Sequence, residues 1–245
     1  MRRLFPAAVA AIALGVATPA HAQCTVRWQP GLFGGPGSTV PVCDQGASAA
    51  QPKAKVPTAK QRKRTPTRAQ LRTLRFTPRA TVSTEVFERL VARFSHEGGP
   101  DAVRAELQRV APMTQTRRSL KALKFSSRDL GDAYSHAFIV LWTVVNGRPV
   151  VSEKSVKGVR ADLRTQLALD PKVRRASDAQ QQAAAEWLGS WAAIMASSWN
   201  GLVQSGDVAA ADAWREQARD LAAERDLFGL DLTQVKLTSR GVARR

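Results

Sequence analysis

Residues 126–147 read SSRDLGDAYSHAFIVLWTVVNG, and the fold class turns on them. Leu130, Ala133, Tyr134, Ala137, Phe138, Leu141, Trp142 and Val145 recur at intervals of three and four, one continuous apolar stripe at the helical period. A strand reading competes, because Ile139, Val140, Val144 and Val145 are β-branched; the unbroken stripe outweighs it. Ser127 is the expected N-cap, its hydroxyl accepting from an amide of the first turn, and Asp129 then sits at the positive end of the helix dipole. Asn146-Gly147 supplies a left-handed stop, and Pro149 prevents resumption. From Ala137 to Val145 only Thr143 is polar, so this half is expected to be buried on most sides.

Working outward, the first 22 residues have the form of a signal segment. Arg2 and Arg3 precede an apolar run from Leu4 to about Val16, and Ala20-His21-Ala22 is a cleavage-type sequence. The run is shorter than the roughly 20 residues a membrane span needs. Removing residues 1–22 takes two arginines from a formal net charge of +17 and leaves +15. The expected compartment is therefore periplasmic or extracellular, where Cys24 and Cys43, the two cysteines of the chain, should pair. Closing that loop contributes about 3 kcal/mol in the chain-entropy description, and no thiol remains for nucleophilic or metal chemistry.

Residues 23–50 are rich in glycine and proline and hold too few large apolar groups for a core of their own. They are expected to form a disulfide-closed loop with two short strands. Gly34-Gly35-Pro36-Gly37 lacks the Gly-Lys-Ser/Thr ending of a phosphate loop. Residues 51–76 read as a basic disordered linker, uniformly charged and low in apolar content at least as far as Thr67. From 51 to 80 there are ten cations and no acid. Beyond residue 80 the chain balances 24 basic against 19 acidic residues, so most of the basicity lies in the linker.

Residues 77–245 are expected to form one mainly α-helical domain of six or seven helices. Thr84–Ser95 carries Phe87, Leu90, Val91 and Phe94; a second helix opens at Pro100 and stops at Pro112; a basic helix covers 114–124. After the central helix come Glu153–Leu169, a long helix capped by Ser177 and running to Ser205, and one capped by Asp207 running to Leu227. Trp187, Trp191 and Trp199 share one face of the long helix and are expected to pack against the central helix rather than to line a groove. A short strand at Val235–Thr238 is expected, with Leu74–Thr77 as its partner.

The order of these features resembles a family of exported bacterial helical proteins known only as a domain of unknown function. Arg-Phe-Thr-Pro at Arg75–Pro78, the Leu-Gly-Asp-Ala-Tyr helix with its Trp and Asn-Gly finish at Leu130–Gly147, and the ending Gly229–Gly241 carry the resemblance. It covers Leu74–Gly241 and excludes the stapled segment and the linker. It implies export and a helical fold, and brings no activity with it.

The chemistry-bearing residues are sparse. Asp129, Asp132 and His136 fall opposite the apolar stripe, so they are expected on a polar, solvated face. Asp132 and His136, one turn apart, could hold a metal or act as an acid–base couple, but no HExxH or further histidine ligand accompanies them. Ser135 is adjacent to His136 on the helix and points about 100° away, which argues against a hydrolase triad. Glu186 beside the tryptophan face could be a lone general acid, without an evident partner carboxylate. These residues name no cofactor and no metal. The basic cluster Lys53, Lys55, Lys60, Arg62, Lys63, Arg64 and Arg68 suits an anionic lipid, a charged polysaccharide or an envelope protein. Export and a single aromatic, Phe76, argue against nucleic acid. The leading expectation is a non-enzymatic exported protein that engages an envelope surface; the alternative is an envelope hydrolase using carboxylates near the tryptophan-rich helix.

Overall fold

The computed structural model describes residues 65–95, 99–147, 151–223 and 228–245, together with the paired backbone of β1 (Thr25–Trp28) and β2 (Thr39–Val42). The expected signal segment, Cys24, Cys43 and the cations from Lys53 to Arg64 lie outside the described residues.

The chain is mainly helical. Among the described residues, two helices of five residues, α1 (Arg68–Arg72) and α7 (Pro171–Arg175), accompany seven longer ones: α2 (Ala80–Phe94), α3 (Pro100–Val110), α4 (Pro112–Ala122), α5 (Leu130–Val145), α6 (Glu153–Leu169), α8 (Asp178–Ser205) and α9 (Val208–Ala223). Local signals set most of the boundaries. Ser152 and Ser177 accept from Ser155 N and Gln180 N, and Asp207 accepts from Ala210 N. α3 stops ahead of Pro112, as expected, and Pro112 itself starts α4. Ala111 alone joins α3 to α4, in the left-handed conformation at φ +47°.

The central helix α5 is capped by Asp129, not Ser127. Asp129 is held extended by a β-bridge to Arg75, and its carboxylate accepts from Asp132 N at 3.1 Å. Gly147 takes φ +58° at the far end, which only a residue without a Cβ adopts at ease. The 28-residue α8 lies along α5, with α2, α4 and α9 also against it. On the other side of α5 lies α6, and against α6 packs a C-terminal hairpin, β3 (Val235–Thr238) with β4 (Gly241–Arg244). The strand at Val235–Thr238 was expected, but its partner is β4, not Leu74–Thr77. That upstream segment instead brackets the start of α5: Leu130 N donates to Leu74 O at 2.8 Å and Phe76 N to Arg128 O at 3.2 Å. Gly158 of α6 permits the hairpin's approach, since a Cβ there would lie 2.4 Å from the Ser239 carbonyl.

The core joins both faces of α8. Trp191 and Trp199 are buried, Trp187 is half-buried, and Trp191 meets Phe94 at a tilt and Trp187 edge to face, at 4.9 and 5.9 Å between ring centroids. The tryptophan stripe is core, with the indole N–H of Trp142 satisfied by Val235 O and that of Trp214 by Met195 O. The folded unit begins earlier than the charge pattern indicates: Leu74 is fully buried, Phe76 is buried, and Thr67 caps α1. Residues 68–76 therefore belong to the domain. Their alternating apolar and cationic order conceals two core anchors within a basic run.

Candidate functional site

Polar residues are as deeply placed as apolar ones around the first two turns of α5. Asp129, Asp132, Ser135 and His136 are all buried, Asp132 completely. The expectation of a solvated face opposite the apolar stripe is thus corrected: α6 covers that face and brings its own cations. Arg160 grips Asp132 in a fork, Nε to Oδ1 at 2.6 Å and Nη2 to Oδ2 at 2.7 Å. One turn along α6, Arg164 donates from Nη1 to Asp132 Oδ1 at 2.6 Å and reaches Asp129 Oδ2 from Nη2 at 3.0 Å. The Ser126 amide adds a further bond to Asp132 Oδ2 at 2.7 Å. The guanidinium of Arg160 also lies over the Phe125 ring, 4.6 Å from its centroid. Gly131 makes room for the approach of Arg164, because a Cβ there would lie 2.7 Å from Arg164 Cγ.

The two carboxyls respond differently to one environment. Burial pushes Asp132 up, but the bonds from Arg160, the Ser126 amide and Arg164 together outweigh it and hold the group below its ordinary value. For Asp129 burial prevails over Arg164, the neighbouring Asp132 charge adds to it, and the carboxyl is raised. His136 does not pair with Asp132. Its Nε2 meets Ser119 Oγ of α4 at 2.7 Å, its Nδ1 is buried without a partner, and burial lowers its pKa to about 4. Ser135 Oγ donates back to Gly131 O at 2.6 Å, so the serine and the histidine have no common bond. Among the described residues no group of three or more His, Cys, Asp or Glu side chains could hold a metal ion.

Glu186 belongs to a separate polar seam on α8. Its Oε1 accepts from Ser83 Oγ at 2.9 Å and Gln182 Nε2 at 3.1 Å, with Arg117 at 3.8 Å, while Oε2 is buried and unpartnered. Its bonds reach no second carboxylate. Gln182 holds the backbone of Arg79 at both ends, accepting from its N–H at 2.7 Å and donating to its carbonyl at 2.9 Å. Neighbouring Gln181 donates to Thr73 O at 2.6 Å and Val173 O at 3.3 Å. Gln182 thus pins Arg79, the residue ahead of α2, whose own side chain makes no capping bond.

The match between the chain and known families spans residues 2–245, and the family is DUF6683, a family of unknown function. The chain belongs to DUF6683. The match is wider than Leu74–Gly241, taking in the N-terminal segments as well as the helical domain. No curated protein and no solved structure matches it. Within this DUF6683 chain the Leu-Gly-Asp-Ala-Tyr motif now has a physical content: Leu130 and Ala133 are core, Gly131 gives clearance, and Asp132 receives both arginines. Sequence reading missed Arg160 and Arg164. Their spacing of four residues beside the apolar stripe of α6 was the available signal.

A shallow, open depression of about 520 Å³ is lined by Trp142, Lys236, Leu237 and Arg245. Asp132, His136 and Glu186 do not line it. Among the described residues no helix is long and apolar enough to cross a membrane.

Proposed function

We propose that this DUF6683 chain is an exported binding protein. Its helical domain is a rigid carrier, and its basic N-terminal segment engages an anionic component of the cell envelope. The single observation behind this reading is that the chemistry-bearing residues of the domain turn inward, and its buried carboxylate Asp132 is fully engaged by cations and an amide. Asp132 is occupied by Arg160, Arg164 and the Ser126 amide, and His136 Nε2 by Ser119, so the cluster serves to fasten α6 and α4 to α5. Uncompensated positive charge lies in the sequence ahead of the domain, with six cations and no acid between Lys53 and Arg64. Anionic lipid, an acidic polysaccharide and an acidic protein face all offer the complementary charge.

Export rests on the character of residues 1–22. What supports a Cys24–Cys43 bond is the register of β1 and β2: Thr25 pairs with Val42 at the outer end of the ladder, and the cysteines are the next residues in sequence beyond that pair. A bridge there would close the segment ahead of the basic run.

The experiment uses the mature protein, its intact mass reporting a start at Gln23 and a closed disulfide. Binding is measured to anionic vesicles, a polyanionic polysaccharide and native envelope fractions across a salt series. The expected outcome is binding at low ionic strength that falls steeply as salt shortens the screening length to about 8 Å and below. Replacing the six cations from Lys53 to Arg64 by glutamine should weaken it at least about tenfold, six neutralised contacts being more than enough for one decade. Undiminished binding by that variant would sink the reading.

A further inference from the structure

The basic character of the sequence ahead of the domain continues onto the folded surface. Arg72 at the end of α1 and Arg75 just beyond it are exposed, while Leu74 and Phe76 between and after them are buried. Arg128 is exposed and lies beside Arg75, because Arg75 bridges Asp129 and Phe76 N donates to Arg128 O. The short α7 repeats the design: Val173 is fully buried, and Lys172, Arg174 and Arg175 around it are exposed. Val173, Leu74 and Phe76 belong to one apolar cluster with Leu167. The side-chain amide nitrogen of Gln181 touches both the Thr73 and the Val173 carbonyl. Segments a hundred residues apart are thus pinned together, and their cations are brought to the same end of the domain.

Acidic groups at this end are already engaged. Asp170 accepts from Lys172 N at 2.7 Å as the cap of α7, and Asp178 accepts from Thr77 N at 2.9 Å. Asp129 and Asp132 are buried against Arg164 and Arg160. Among the described residues none of Arg72, Arg75, Arg128, Lys172, Arg174 and Arg175 has an ion-pair partner. Five of these six are arginines, whose planar fork matches phosphate oxygens two at a time. The segment's one aromatic, Phe76, is in the core and offers no ring for base stacking.

From this placement we propose that the α1–α7 end of the domain is a docking face for the phosphate headgroups of an anionic bilayer. The inference rests on the binding reading given above and names its partner. The chain enters this face through α1, and the sequence ahead of α1 carries six more cations on the same chain. Attraction through those charges would present the preorganised arginines to the bilayer as a second, tethered element at high effective concentration.

The test is co-sedimentation of the full mature chain with vesicles of phosphatidylglycerol and phosphatidylcholine, against phosphatidylcholine alone and against duplex DNA. Three variants are compared, each checked by thermal melting: R72Q/R75Q/R174Q/R175Q on the face, R93Q/R118Q/K121Q/K154Q at exposed positions elsewhere, and the linker variant. The face variant should lose about tenfold or more in binding to the anionic vesicles, and the control variant, with the same net charge, much less. Equal loss from face and control overturns the face, as net charge alone then explains binding. Loss from the linker variant with none from the face variant overturns the face and leaves the linker reading standing. Binding by none of the forms, parent included, overturns both. Tighter binding to duplex DNA than to anionic vesicles overturns the bilayer as partner.

Discussion

The two halves of α5 are buried to the same depth by different physics. Ala137–Val145 buries Phe138, Leu141 and Val144 almost completely, and its stability comes from apolar area removed from water. Leu130–His136 buries Asp132, Ser135 and His136 just as fully, and there burial is tolerable only because each charge finds a countercharge. An apolar half degrades gradually, since neighbours relax into a lost methyl's space. The polar half fails abruptly, because removing one partner strands the others in a medium that solvates them poorly.

Asp132→Asn should expose that difference most strongly. It keeps the shape but leaves Arg160 and Arg164 without the charge they share, and should cost about 3–5 kcal/mol. Leu141→Ala in the apolar half should cost about 2–5 kcal/mol through the lost transfer energy and the cavity. Denaturant melts of both variants decide the ranking. A clearly milder effect at Asp132 would mean that the arginines find solvent or Asp129 instead.

His136 sharpens the comparison through pH. Its folded-state pKa is lowered to about 4, below the ordinary 6.5, so the unfolded chain takes up the proton first. Above pH 6.5 both states are neutral and nothing is lost. As pH falls from 6.5 towards 4, stability declines by up to about 3 kcal/mol. Asp132, with its lowered pKa, adds loss in the same direction, and Asp129, with its raised pKa, opposes it. In the interval from pH 6.5 to about 5 the unfolded histidine takes up its proton while the folded one stays neutral. In His136→Gln the slope across that interval should flatten in melts followed by circular dichroism; an unchanged slope would assign it to another group.

The smallest effect should come from an ion pair with the same chemistry and no burial. Glu88 on α2 meets Arg104 on α3 in a bidentate contact on the surface, and Arg104 lowers the Glu88 carboxyl's pKa. Glu88→Gln should shift the melting midpoint barely, and the shift should vanish in added salt. A loss comparable to that at Asp132 would show that contact geometry, rather than desolvation, sets the strength of these pairs.

Much of the fold was legible because it is written locally. Ser177 and Asp207 begin their helices as their hydroxyl and carboxylate chemistry requires, Glu153–Leu169 ran as its stripe indicated, and the tryptophans of α8 are core. The strand at Val235–Thr238 was also legible. Its partner was not, since the Ser239-Arg240 turn lacks the Asn-Gly signature of a tight hairpin. The capping of α5 went to Asp129 rather than Ser127 because the bridge to Arg75, a contact more than fifty residues away, fixes the extended conformation an N-cap needs.

The sequence by itself determined the helical class, most helix limits and the imbalance of charge towards the N-terminal segment. These depend on periodicity and on groups within one turn of each other. Only the tertiary structure decided that the polar face of α5 is interior. Periodicity ranks residues by their own affinity for water, whereas burial of Asp132 depends on two arginines 28 and 32 residues along the chain, delivered by α6. The cationic face was decided in the same way. Arg72, Arg75 and Arg128 join Lys172, Arg174 and Arg175 because Val173, Leu74 and Phe76 share one apolar cluster, and no local pattern encodes that meeting.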